Sequence, residues 1–171
     1  TRYIGVTGVQ TCALPIYLLS EGVSIRNLPL ILEAIADAAK LTTNLETLSE
    51  YVRSGIARQI SNSLQGFDGK LRVLTLNPEL EENLRGALQE TDLGNYLALN
   101  PDLNNSFIYA VNEENRKCIG MGYPAILLVA PELRKPIRRI LERDLRGVTV
   151  LSYNEIVADI ELEAVGMVSV D

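Results

Sequence analysis

The chain has 171 residues, with 16 Lys and Arg against 22 Asp and Glu, a formal net charge of −6 and no histidine. That balance argues against non-specific nucleic-acid binding, which needs a basic face to displace counterions from phosphates. The lack of histidine removes the side chain most often used for proton transfer near neutral pH.

Val6 to Ile16 reads VTGVQTCALPI and resembles the translation of a common sequencing adapter. A signal peptide is the competing reading of the apolar stretch from Val9 to Leu19. Gln10 and Thr11 interrupt that stretch, however, and Arg2 alone supplies upstream charge. Residues 1–16 are therefore expected to be foreign to the fold, without helical or strand period. Native sequence is expected to begin near Tyr17, in a chain cut at its N-terminal side. Setting the leader aside removes Arg2 and no acid, which moves the net charge from −6 to −7. It also removes Cys12 and leaves Cys118 alone, so no intrachain disulfide is expected and a reducing compartment is the natural reading.

Residues 17–65 read as a helical subdomain. Leu28, Ile31, Leu32, Ile35 and Ala39 recur at helical spacing, with Pro29 tolerated in the first turn. Thr43 and Glu46 form a capping-box pattern. The helix it opens buries Leu45, Leu48, Val52, Ile56, Ile60 and Leu64. The segment Gln65-Gly66-Phe67-Asp68-Gly69-Lys70 then breaks the period, and residues 66–70 are the expected linker.

Residues 71–171 read as an α/β subdomain. Leu71 to Leu76 is a nearly continuous apolar strand, the pattern of a strand covered on both faces. Asn77-Pro78-Glu79 starts a helix with a capping side chain, a proline at the first position and acids near the positive dipole end. Its inner stripe is Leu80, Leu84 and Leu88. Asn100-Pro101-Asp102 repeats the device, with Leu103, Phe107, Ala110 and Val111 inward. Ala125 to Ala130 is the longest apolar run, a buried strand far shorter than the roughly 20 residues needed to cross a bilayer. A helix buried through Leu133, Ile137, Ile140, Leu141 and Leu145 follows, with Pro136 expected to disturb its first turn. Val148 to Ser152 is the third strand. The alternation from Ile160 to Ala164 marks a half-exposed edge strand. The order βααβαββ predicts a small, mostly parallel sheet packed with helices and an antiparallel closing strand.

Each candidate for chemistry has a plainer reading. Gly120-Met121-Gly122 precedes a strand and lacks a third glycine, so it reads as a turn and not a dinucleotide fingerprint. Ser152 beside Glu155 lacks a histidine base and reads as a turn. Glu79, Glu81 and Glu82 favour a helix N-terminus more than a metal. Arg116 and Lys117 beside Cys118 could lower its pKa, yet a lone thiol is usually filler. No catalytic, metal-binding or cofactor-binding residue is expected. The distinctive surface feature is a basic run, Arg134, Lys135, Arg138, Arg139, Arg143 and Arg146. Its spacing of four makes a stripe along a helix, read either as a solvated face balanced by Glu142 and Asp144 or as a docking stripe for an acidic partner. The candidate docking residues are Arg134, Arg138, Arg139 and Arg143.

Five segments, in order, resemble the flagellar type III secretion export-gate family. They are VSIRNLPLILEAIADAAKLTTN (Val23–Asn44), SEYVRSGIARQI (Ser49–Ile60), LGNYLALNPD (Leu93–Asp102), VLSYNEI (Val150–Ile156) and the terminal VGMVSVD. Injectisome export gates of virulence systems share the VSIR-like and VLSYNE-like segments, and LGNYLALNPD favours the flagellar branch. The resemblance implies a parent with a multi-span membrane part and a region of four subdomains on the cytoplasmic face of the bacterial inner membrane. This chain would hold the helical third and α/β fourth. It further implies a nine-subunit homo-oligomeric ring whose partners are the export ATPase stalk protein, export chaperones and their substrates. The chaperone cleft would lie in the earlier subdomains. The expected function is non-enzymatic assembly and docking in protein export. The alternatives are a small α/β enzyme with an unrecognised cofactor and a DNA-binding protein built on the helical half.

Overall fold

A computed structural model describes residues 8–91 and 94–170. The chain divides into two units, Thr1–Leu64 and Gln65–Asp171.

The first unit is helical: α1 (Gly8–Ser20), α2 (Leu28–Ala38), α3 (Leu45–Gly55) and α4 (Ala57–Leu64). The expectation that residues 1–16 have no place in the fold is corrected from Gly8 onward; Thr1–Thr7 lie outside the described residues. Leu14 and Leu18 are four apart, share one face of α1 and are 0% and 1% exposed. A boundary drawn at Tyr17 had cut that stripe in two. On α2 the buried face is Ile31, Ile35 and Ala38, continued by Ala39, whereas Leu28 and Leu32 are exposed. The capping-box reading is also corrected. Asn44, not Thr43, caps α3, its side-chain oxygen accepting from the amides of Glu46 at 3.0 Å and Thr47 at 3.1 Å. The long helix read from Leu45 onward is interrupted at Ile56. Gly55 explains part of the break, because it favours the helix less than any ordinary residue. Its missing side chain also admits Ala34, whose Cβ would lie 3.1 Å from an added β-carbon. Arg53 of α3 bonds Glu21 at 3.0 Å with both side chains almost fully buried. A pair so placed is costly to break from one side.

In the second unit, Gly66-Phe67-Asp68-Gly69 is a tight turn, with the Gly66 amide donating to the Lys70 carbonyl at 2.9 Å. Gly69 takes φ +78°, a left-handed conformation that glycine adopts without cost. The turn delivers β1 (Lys70–Leu76), followed by α5 (Pro78–Gly86), β2 (Leu88–Thr91), β3 (Gly94–Leu97) and α6 (Pro101–Gly120). Then come β4 (Ile126–Val129), α7 (Pro131–Leu141), β5 (Thr149–Ser152) and β6 (Glu161–Val168). Both asparagine caps form as expected. Asn77 accepts from the Glu79 amide at 2.9 Å and Asn100 from the Leu103 amide at 2.7 Å.

The main sheet has the order β5-β4-β1-β6. Every pairing in it is parallel, including β6 with β1 from Lys70↔Glu161 to Leu76↔Val168. The small, mostly parallel sheet packed with helices is therefore as expected, but the antiparallel closing strand is not. Residues 153–160 carry the chain from one edge of the sheet to the start of the opposite edge, so β6 runs with β1 and not against it. Alternation along the strand reports which faces are covered, never direction. Gly86 ends α5, so Leu88 leaves the helical stripe assigned to it and pairs with Leu97 in a β2–β3 hairpin. One core unites the elements: Leu74, Leu76, Leu127, Val129, Val150 and Val168 from the sheet meet Leu80 and Leu84 of α5. Phe107 and Val111 of α6 and Leu133, Ile137 and Leu141 of α7 complete it. The alternate strand residues Leu71, Val73, Ile126, Leu128 and Leu151 are buried as well, which is why β1 and β4 read as continuous apolar runs.

Candidate docking surface

α7 is built from an apolar stripe and a run of cations, and burial separates the cations into three kinds. Its buried residues are Leu133, Arg134, Pro136, Ile137 and Leu141. Pro136 is accommodated within the helix; sitting six residues in, it removes one intrahelical donor close to the first turn. Arg134 is 0% exposed. It follows Leu133 directly and falls inside the buried arc, so its place in the docking stripe is withdrawn: a side chain without surface cannot meet a partner.

Arg138 is half-buried, and its guanidinium donates to the Val148 carbonyl at 3.0 Å. That bond ties α7 to the segment entering β5 and gives Arg138 a structural task. Arg139 is exposed and donates to the Asn95 carbonyl at 3.3 Å, which links α7 to β3. Arg143 and Arg146 are exposed beyond the helix end, the latter donating to the Glu142 carbonyl at 3.2 Å. Arg139, Arg143 and Arg146 are thus each exposed, as are Glu142 and Asp144 between them in the chain. At the other end of α7, Glu132 accepts from Arg85 at 3.1 Å, while Arg85 also meets Glu81 at 3.2 Å and Glu82 at 3.4 Å. Glu132 foremost, with desolvation opposing, holds the Arg85 pKa above its ordinary value. Two of the three acids once weighed as a metal site are thus neutralised, and no metal-ligating cluster occurs among the described residues.

The remaining chemical candidates resolve into local structure. Glu155 accepts from the Ser152 amide at 2.7 Å and from its hydroxyl at 3.1 Å. Both residues are buried, so the pair caps the short 3-10 turn Tyr153–Glu155. Gly120-Met121-Gly122 closes α6. The Tyr123 amide donates back to the Cys118 carbonyl at 2.9 Å and the Gly122 amide to Ile119 at 3.0 Å, with Gly122 at φ +81°. Cys118 is 1% exposed. Desolvation, helped by the charge of Glu114, pushes its thiol pKa up, the reverse of the activation that Arg116 and Lys117 had suggested.

Two features escaped the sequence. The β2–β3 hairpin places Asn95 under Arg139; its signal was Gly86 ending one element and Gly94 opening another. The second is a groove between α6 and the end of β6, whose residues the sequence reading did not bring together.

Comparison with known proteins gives a consistent picture. The FHIPEP family model matches residues 10–161. The chain is 39% identical over 153 residues to the flagellar biosynthesis protein FlhA of Bacillus subtilis (strain 168), covering 90% of this chain and 23% of that protein. Among solved structures it resembles the Chlamydia pneumoniae CdsV protein with TM-score 0.83 and 30% identity, over 94% of this chain and 46% of that one. CdsV has also been solved in complex with CdsO, where the TM-score is 0.78 at 30% identity, over 95% of this chain and 48% of that one. The nonameric EPEC SctV-C matches with TM-score 0.80 and 25% identity, over 95% of this chain and 49% of that one. The chain thus spans less than a quarter of the length of its full-length FlhA relative.

Proposed function

The chain belongs to the FHIPEP family, and on that premise we propose that it is a non-enzymatic docking and assembly part of a flagellar protein export gate, working on the cytoplasmic side of the bacterial inner membrane. The observation that carries this reading is the FlhA similarity running through both units. No helix among the described residues is long and apolar enough to cross a membrane. The nonameric SctV-C supports assembly into a homo-oligomeric ring, and the CdsV–CdsO complex supports a direct protein partner. The partners of the intact gate are the export ATPase stalk protein, together with export chaperones and substrates.

Arg139, Arg143 and Arg146 are the docking residues on this reading. A planar guanidinium bonds a carboxylate in pairs, and a basic patch on a net-acidic chain speeds encounter with an acidic partner more than it tightens the complex. The test is association kinetics between this chain and the stalk protein, at low and physiological salt, for the parent and the double variant Arg143→Glu/Arg146→Glu. The variant should keep its far-UV spectrum and associate about tenfold more slowly at low salt. Absence of stalk binding by the folded parent would overturn the docking reading. Unchanged kinetics in the variant would return this patch to a solvated face.

A further inference from the structure

Beside the outer edge of β6 a groove of about 550 Å³ opens against α6. Asn105, Tyr109, Glu113 and Glu114 form one wall, recurring at helical spacing, Met167 comes from the end of β6, and Ser169 follows just beyond it. β6 is the terminal strand of the sheet, and among the described residues nothing pairs with it on its outer side. The groove thus adjoins the C-terminal end of an edge strand.

Edge strands are normally guarded by charge, proline or bulges. On β6 the guard covers one half. Glu161 and Glu163 occupy the first half, bonded to Lys70 at 2.7 Å and Arg72 at 3.0 Å, and the bulge follows where Val73↔Ala164 passes to Leu74↔Gly166. From Val165 to Val170 the sequence is VGMVSV, without a charge, and this unguarded half is the one that borders the groove. Tyr109 and Met167, 66% and 50% exposed, offer apolar contact on either side of it. Among the described residues, those lining the groove include two carboxylates, Glu113 and Glu114, and no Lys or Arg. Arg116 and Lys117 pair with those carboxylates at 3.6 Å and 2.5 Å. The Arg116–Glu113 pair is exposed on both sides, the kind worth little in water, so an incoming cation can share Glu113, whereas the Glu114 side chain is largely covered.

We propose that the Val165–Val170 edge accepts an extended peptide segment as a fifth strand, with lysine or arginine alternating with apolar residues. Backbone bonds to the free edge would supply affinity, and alternate side chains would meet the groove. The cations would face Glu113 and Glu114. A second copy of β6 fits poorly, since it would bring its own Glu161 and Glu163 to an acidic groove. The proposal stands apart from the export-gate reading and from the arginine patch.

The test uses fluorescence anisotropy of a labelled, end-blocked peptide Lys-Val-Lys-Val-Lys-Val-Lys-Val titrated with the whole chain. Three comparisons accompany it: the same peptide with alternate backbone amides methylated, its glutamate counterpart, and the chain variant Met167→Lys. Saturable binding is expected for the parent peptide. Amide methylation should weaken it about tenfold or more, the loss expected for two or so backbone hydrogen bonds. The glutamate peptide should not bind, and Met167→Lys should weaken binding through a charge on the exposed edge. Amide-exchange protection on binding should fall within residues 165–170. Equal binding of the methylated peptide, protection confined to other segments, or no binding of the lysine peptide would overturn the proposal.

Discussion

Gly166→Ala tests the packing that brings α6 onto the sheet edge. The residue follows the bulge in β6 and pairs with Leu74 of β1. A β-carbon there would lie 2.8 Å from Leu74 Cδ2 and press on the Glu114 carboxylate. These neighbours differ in freedom. Leu74 is 0% exposed within the main core and cannot rotate without displacing others. Glu114 can swing away on a flexible side chain, at the cost of its ion pair with Lys117. Overpacking of this kind costs about 1–3 kcal/mol, and the stiffer unfolded chain of an alanine variant offsets about 0.4–1 kcal/mol. The net expectation is a loss of about 1–2 kcal/mol, or a Tm lower by roughly 2–8 °C for a chain of this size. Urea denaturation of the parent, Gly166→Ala, Glu114→Ala and the double variant closes a cycle. Glu114→Ala should recover less than half the loss, because the Leu74 contact remains. A Gly166→Ala variant as stable as the parent would refute the close approach, and complete rescue by Glu114→Ala would refute the role given to Leu74.

Leu14→Ala should destabilise the chain by about 2–5 kcal/mol, the usual cost of emptying a wholly buried leucine site; an unchanged urea midpoint would restore the view that residues 1–16 are foreign to the fold. Asp68 should contribute to acid sensitivity. Its hydrogen bond to Arg72, foremost among several causes, lowers its pKa from 3.8 to about 2. A folded-state value below the unfolded one means stabilisation present above about pH 4 and lost as pH falls towards about 2. Relative to Asp68→Asn, the parent should therefore lose stability across that window, and a constant difference between the two would contradict the assignment.

Apart from the α3 cap, read as Thr43 and formed by Asn44, local chemistry was readable in the sequence where the causing residues lie within one turn of their effect. Asn77-Pro78 and Asn100-Pro101 start their helices as read, and Gly122 ends α6, because a cap, a missing amide or a positive φ acts over three or four residues. The apolar runs of β1 and β4 likewise reported burial on both faces. The family resemblance was legible for the same reason, as short segments in order. What tertiary structure alone decided is everything set by a distant neighbour. The direction of β6 depends on where β1 lies, and the hairpin depends on Leu97 claiming Leu88 from the helix. The docking stripe shows the limit most clearly. Spacing of four placed Arg134, Arg138 and Arg139 around one helix, but spacing gives only the angle about the axis. Whether that angle is covered, as at Arg134, bonded to a carbonyl ten residues on, as at Arg138, or left to solvent, as at Arg143, follows from long-range packing, since burial belongs to the surfaces that meet and not to the residue that carries the charge.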